Sequence, residues 1–229
     1  MIETKNLTKI YNPGTPREVI AAKAVSVRID YGTITIIRGP SGSGKTTLLS
    51  MLGLILAPSS GKILIDGEDV TRFSEHWKTL YRRENMGFIF QHINLLPGYT
   101  AMENVLIPLL CLDEEVSKYK NETLKLFRKL KIEERANNLV EQLSGGEQQR
   151  VSLVRALIRN PKIILADEPT VFVDKETSEI IFEMFRELRD EGKIIVVSTH
   201  DPRLIEIANR VYTMEKGTII REQTQGKGI

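Results

Sequence analysis

Three short runs in the chain are apolar without polar alternation: residues 33–37, 163–166 and 194–197. Strands buried on both faces of a parallel sheet read this way, because neither face needs to meet water. Each run ends at a polar cluster and is followed by apolar residues at helical spacing, near residues 45–56, 175–191 and 202–208. The pattern predicts strand-then-helix units of the α/β class, in which ligands sit beyond the carboxyl ends of the strands. Residues 2–7 and 19–29 alternate instead, and Asn12-Pro13-Gly14 supplies a turn between them, so an antiparallel β portion is expected at the N-terminus. From 99 to 159 the spacing is helical throughout, which predicts a helical subdomain inserted into the α/β core. The expected organisation is one domain over residues 1–229. About 1–90 and 160–229 form its core and about 91–159 its helical subdomain. The Gln/Gly/Lys-rich tail after Arg221 is expected to be disordered.

Composition narrows the function. With 229 residues and 41% of them hydrophobic, the chain can bury a sizeable core. Its 32 Lys+Arg against 30 Asp+Glu leave a formal charge of +2, which gives no basic field of the kind a nucleic-acid binder shows, so no nucleic acid is expected. One cysteine, Cys111, can make neither an internal disulfide nor a thiolate cluster, in keeping with a reducing, cytoplasmic address. The opening Met-Ile-Glu-Thr-Lys-Asn has no apolar core of a secretory leader, and the longest apolar candidate for membrane insertion, 105–112, is short and broken by Pro108. Neither a leader nor a membrane span is expected.

The chemistry is carried first by Gly39-Pro40-Ser41-Gly42-Ser43-Gly44-Lys45-Thr46, which fits G-x-x-x-x-G-K-[ST] between a predicted strand and a predicted helix. Glycines let successive backbone N–H groups turn inward around phosphate oxygens, and the helix start adds its positive end. Lys45 is placed to reach β- and γ-phosphates and the Thr46 hydroxyl to hold Mg²⁺, with Thr47 completing the loop's phosphate contacts. Downstream, the buried run 163–166 delivers Asp167 and Glu168 to the same edge. Asp167 suits Mg²⁺ coordination. Glu168, expected to point the opposite way along an extended chain, suits orienting or deprotonating a water. Pro169 is expected to stop the strand.

Leu143-Ser144-Gly145-Gly146-Glu147-Gln148-Gln149-Arg150 resembles the signature of ATP-binding-cassette ATPases and lies between the P-loop and the carboxylate strand, as in that family. Read from residues alone, Ser144 with Glu147 is a capping box, and its two glycines leave a helix start open to an anion. The resemblance covers nearly the whole chain. It implies a P-loop NTPase (RecA-like) parallel-sheet core, ATP and Mg²⁺ as cofactors, and ATP hydrolysis. It also implies Ser144, Gly145, Gly146 and Glu147 capping the ATP held by a second copy. In the same way it implies Tyr11 stacking on adenine, Gln91 sensing Mg²⁺ and the attacking water, His200 contacting the γ-phosphate and Asp174 contacting the opposite subunit.

The Ile-Arg-Gly-Pro-Ser-Gly-Ser-Gly-Lys-Thr-Thr-Leu-Leu stretch of residues 37–49, the Gly-Phe-Ile-Phe-Gln-His-Ile-Asn-Leu-Leu-Pro run of residues 87–97 and the sequence Glu103-Asn104-Val105 are similar to the lipoprotein-releasing and macrolide-export type. That similarity implies a head-to-tail dimer on the inner face of the cell membrane, driving a separate integral permease. Apolar residues within 92–110 are then the docking surface where they are not core. Other members of the family regulate a membrane partner without transport, as in cell division, or act as soluble proteins of DNA repair or translation. Val171-Phe172-Val173 departs from the small residue, small or polar residue and Leu that the family carries between Thr170 and Asp174, which bears on how two subunits meet.

Overall fold

The computed structural model describes residues 1–110, 116–171 and 173–225. Cys111, the end of the apolar run 105–112, and Phe172 lie outside the described residues, as does 226–229. The strands are β1 (Ile2–Tyr11), β2 (Val19–Val25), β3 (Arg28–Ile29), β4 (Thr33–Arg38), β5 (Ser60–Ile65), β6 (Glu68–Asp69), β7 (Met86–Ile89), β8 (Ile163–Asp167), β9 (Ile194–Ser198), β10 (Arg210–Glu215) and β11 (Thr218–Thr224). The helices are α1 (Lys45–Leu52), α2 (Glu75–Asn85), α3 (Ala101–Leu106), α4 (Ser117–Lys129), α5 (Gly145–Leu157), α6 (Lys175–Asp190) and α7 (Pro202–Glu206).

Two sheets result. One has the order β11-β10-β4-β9-β8-β7, parallel except for the antiparallel edge strand β11. The other is antiparallel, β2-β1-β5-β6, with β3 paired to β1. The three apolar runs are the central strands β4, β9 and β8, buried along their length. Their alternate residues feed different cores. Ile34, Ile36, Ile164, Ala166, Ile195 and Val197 join the cluster built with α3, α5 and α6. Ile37, Ile163, Leu165, Ile194 and Val196 join the cluster under α1 and the antiparallel sheet. Each of the larger side chains, Ile, Leu or Val, contributes about 1.5–3 kcal/mol by burial, which explains why apolar residues dominate these strands; Thr35, in the middle of β4, is the buried polar exception.

Three expectations change. The stretch 99–159 is not helical throughout: between α4 and α5 the chain makes only single 3-10 turns at Glu133–Arg135 and Val140–Gln142 and an isolated bridge from Thr100 to Leu139. The first helix ends at Leu52, not 56, because the chain turns into the left-handed region at Leu54, φ +56°, which no helix continues through; Gly53 before it has no room for a side chain, since a Cβ there would lie 2.6 Å from the Phe88 ring. The tail after Arg221 is a strand as far as Thr224. Its main chain pairs Thr224 with Arg210 and Gln223 with Val211, and such pairing needs no apolar side chains. No helix among the described residues is long and apolar enough to cross a membrane.

Candidate functional site

The loop from Gly39 to Gly44 leaves the end of β4 and enters α1 at Lys45. Its glycines are required by space as well as by phosphate chemistry. A Cβ on Gly39 would lie 2.0 Å from the carbonyl oxygen of Met214, and one on Gly44, whose φ is +101°, 2.0 Å from that of Ala21. The loop closes on itself through Ser43 N–H donating to the Pro40 carbonyl at 3.2 Å. No side chain caps α1, so the first-turn N–H groups are free for an anion. The Lys45 ammonium, nearly buried, donates to the carbonyls of Gly39 at 2.9 Å and Pro40 at 3.2 Å, which holds it across the loop. Ser43 Oγ is buried without a partner beneath it.

Opposite the loop, β8 and β9 run in register, with Asp167 beside Ser198. Ser198 Oγ donates to Asp167 Oδ1 and fixes that carboxylate at the strand end. Glu168 departs from expectation: its φ is +45°, so the backbone turns into the left-handed region instead of continuing extended, and the strand ends at Asp167, two residues before Pro169. The turn is held by Glu168 N–H donating to the Ser198 carbonyl at 2.8 Å. One side-chain oxygen, Oε1, meets His200 Nδ1 at 3.1 Å; the other, Oε2, is buried with no partner. Glu168 is 10% exposed and His200 70%, so the imidazole screens the carboxylate from one side while remaining open to solvent.

Gly39 to Thr47, Gln91, Asp167, Glu168 and His200 all line one cavity of about 660 Å³. Tyr11 does not line it. Its hydroxyl lies 3.4 Å from Thr47 Oγ1, and the Lys9 ammonium sits 5.5 Å from the centre of its ring. Val19, Ile20 and Ala21 of β2, Val171 and Lys216 also line the cavity and carry no motif in the sequence. Ser198 was equally silent, although its place at the end of a buried run beside Asp167 is the signal that finds it.

The signature residues lie elsewhere. Ser144 caps α5, accepting from Glu147 N–H at 3.3 Å, while Ser144 N–H donates to Glu147 Oε2 at 2.8 Å. That backbone bond and the Arg135 guanidinium at 2.7 Å hold the Glu147 carboxyl below the usual carboxylate range, against a raising effect of burial. Gly146 packs where a Cβ would lie 2.7 Å from both Asp174 Oδ2 and Thr177 Oγ1. Asp174 caps α6 through Thr177 N–H at 2.8 Å, a bond that lowers its pKa. None of Ser144, Gly145, Gly146, Glu147 or Asp174 lines the cavity of its own chain.

The cavity thus offers a glycine cradle, a helix start, one fixed ammonium, an orphaned hydroxyl and an orphaned carboxylate oxygen, a donor set that fits a polyphosphate and an attacking water. Among the described residues no three His, Cys, Asp or Glu converge on a metal position. The Thr46 hydroxyl and the Asp167 carboxylate fit a hard cation that takes its remaining ligands from phosphate and water, as Mg²⁺ does. The family model described as ABC transporter matches residues 22–171. The chain belongs to that family. It is an ATP-binding, ATP-hydrolysing cassette that uses Mg²⁺.

Two relatives place it more closely. The lipoprotein-releasing system ATP-binding protein LolD of Bacteroides thetaiotaomicron is 37% identical over 97% of this chain and 100% of its own. The macrolide export ATP-binding/permease protein MacB of Bdellovibrio bacteriovorus is 39% identical over 96% of this chain, which spans 33% of that longer protein. Among solved structures, the dimeric cassette MJ0796, a protein of Methanocaldococcus jannaschii, superimposes with a TM-score of 0.91 at 38% identity over 98% of both chains. Its post-hydrolysis dimer bound to ADP and Pi gives 0.88 at 39% identity over 98% of both chains.

Proposed function

We propose that this cassette closes head-to-tail with a second copy on ATP and that the closing and opening drive a separate membrane permease of the exporting or lipoprotein-releasing type, from the cytoplasmic face. The observation that carries the dimer is the separation within one chain. The signature start of α5 is a capped, glycine-lined helix end suited to an anion, yet it stands outside the cavity that the P-loop lines. A two-fold pair resolves this, because each copy then presents Ser144–Gly146 to the other's cavity and both sites are equivalent. The MJ0796 cassette is described as dimeric, which favours the same reading.

Within the site, Gly39–Gly44 and the first turn of α1 bind the phosphates, and Lys45 neutralises them. Thr46 and Asp167 hold Mg²⁺, which supplies charge neutralisation on the phosphates when bound; Gln91 reaches toward the same region. Thr47 adds its hydroxyl to the phosphate contacts, and Tyr11, whose hydroxyl lies 3.4 Å from Thr47 Oγ1, stacks on the base. Glu168 accepts the proton of the attacking water, and its carboxylate is oriented by the contact of Oε1 with His200. Gln91, His92, Ile93, Leu95, Pro97 and Val140 line a second, 420 Å³ groove, and the exposed apolar side chains Leu96 and Leu139 are chain neighbours of its lining residues. This surface is the docking site for the permease, and Gln91, which lines both cavities, links docking to the nucleotide.

The dimer is tested by cysteine cross-linking in a Cys111→Ser background carrying Ser41→Cys and Ser144→Cys. An ATP-dependent covalent dimer is expected. A chain that cross-links only within itself, or equally with and without ATP, counts against the shared site.

A further inference from the structure

Lys216 lines the nucleotide cavity from a direction that none of the motifs uses. It sits in the two-residue turn between β10 and β11, where Glu215 pairs with Thr218 and both turn residues have positive φ, +46° for Lys216 and +81° for Gly217. Such turns favour Asn-Gly, because asparagine tolerates the left-handed region and lysine does so poorly. The turn is fastened to the phosphate loop. Gly217 N–H donates to the Ser43 carbonyl at 3.0 Å, and Lys23 N–H donates to the Gly217 carbonyl at 2.8 Å. The carbonyl of Met214, two residues before Lys216, is the atom that forbids a side chain at Gly39.

Among the described residues the Lys216 ammonium has no ion-pair partner. The charged side chains of the cavity wall are Lys45 and Lys216 against Asp167 and Glu168, so Lys216 supplies half of the positive charge. Sheet order says which part of a nucleotide it faces. β10 flanks β4 on one side, whereas β9, which leads into His200, and β8, which ends at Asp167 and leads into Glu168, lie on the other. The carboxylate side is where the terminal phosphate is hydrolysed. Lys216 therefore faces the portion that remains after hydrolysis.

We infer that Lys216 is a nucleotide-binding residue whose ammonium attracts the phosphates nearest the nucleoside, those common to a nucleoside diphosphate and a triphosphate, and that a lysine occupies an unfavourable turn position for this reason. The inference rests on the reading of this cavity as the nucleotide site. Calorimetric titration of ADP and of a non-hydrolysable ATP analogue, each with Mg²⁺, tests it on Lys216→Asn, Lys216→Arg, Lys216→Glu and Lys45→Ala.

Lys216→Asn should weaken both ligands equally, about three- to ten-fold, with the loss shrinking as salt is raised. Lys216→Arg should stay close to the parent, and Lys216→Glu should lose more than Lys216→Asn. The thermal midpoint of Lys216→Asn should be equal or higher, since asparagine suits the turn, so weaker binding in that variant is not a folding failure. Unchanged affinity in both Lys216→Asn and Lys216→Glu overturns the inference, and a loss confined to the triphosphate overturns the placement. If Lys45→Ala still binds nucleotide normally, the reading of the cavity itself fails; if only Lys45→Ala loses binding, that reading stands and the role of Lys216 falls.

Discussion

Tyr11 is the site residue whose position is least enforced by its surroundings. It ends β1, is 38% exposed, and its hydroxyl lies 3.4 Å from Thr47 Oγ1, just past the phosphate loop. One face of the ring looks toward the Lys9 ammonium, which leaves the other for a base. Removing the ring in Tyr11→Ala should weaken ATP binding by about 1–3 kcal/mol, the scale of base–aromatic stacking. The Mg²⁺ dependence of binding should be unaltered, because Thr46 and Asp167 are untouched. Fluorescent-nucleotide titration at several Mg²⁺ concentrations checks both halves, and a variant that loses Mg²⁺ dependence would place the tyrosine on the phosphate side instead. At this scale the sequence is most informative where spacing itself is the chemistry. Gly39 to Thr46 must be contiguous to wrap a phosphate, so the motif names every residue. Glu168 could be named from its neighbour but not aimed, since the left-handed turn that directs its carboxylate depends on a bond from Ser198, thirty residues away in sequence. Lys216 could not be named at all, because it is brought to the cavity by the pairing of β10 with β4 and of Gly217 with Ser43.

Elements were legible in proportion to how fully burial dictates their residues. β4, β8 and β9 are covered on both faces, so the interior fixes their composition and the runs stand out in any reading. β11 is an edge strand whose burial pattern is largely exposed, and Arg221-Glu222-Gln223-Thr224 looks like a solvated tail until its main-chain partners in β10 are known. The short helix α7 shows the same principle through a cap. Asp201 accepts from Arg203 N–H at 3.0 Å and from the Arg203 guanidinium at 2.7 Å, and Thr170 Oγ1 donates to it at 3.0 Å, which ties α7 to the segment just after Glu168. Burial raises the pKa of this carboxyl, but the bonds from Arg203 and Thr170 together outweigh it, and the net displacement is downward. A carboxyl depressed in the folded state stabilises the fold fully above its unfolded value, about 3.9, and loses that contribution as pH falls through the folded value. Asp201→Asn keeps the cap but loses the charge-assisted part, about 1 kcal/mol after allowing for the exposure of Arg203. Urea unfolding should show the parent more stable than Asp201→Asn at pH 7 and the difference shrinking below about pH 4. An equal difference at pH 7 and pH 3 would mean the charge plays no part.

At the scale of the whole molecule, the parallel sheet brings the P-loop and the carboxylates together by topology, whereas the signature helix stays apart, and this separation makes the Glu168→Gln variant decisive. The amide keeps the shape of Glu168 and its contact with His200 but loses the charge that favours taking a proton from water, so hydrolysis should fall on the order of 10²-fold or more. ATP binding should survive, since no phosphate ligand changes. If ATP is held between the P-loop of one copy and Ser144 of the other, the unhydrolysed nucleotide should keep the two together, and the variant should run as a dimer with ATP and as a monomer with ADP in size-exclusion chromatography. Losing two carboxylate charges from an interface crowded with phosphates pushes the same way. A Glu168→Gln protein that stays monomeric with ATP at micromolar concentration counts against the shared site unless closure is blocked. The block has a named candidate: Val171, which lines the cavity, and Phe172, its neighbour in sequence, stand where the family carries smaller residues beside Asp174. Adding Val171→Gly and Phe172→Asn to Glu168→Gln separates the two cases. Recovery of the ATP dimer in the triple variant identifies a blocked interface, and a monomer there removes the head-to-tail mechanism for this chain.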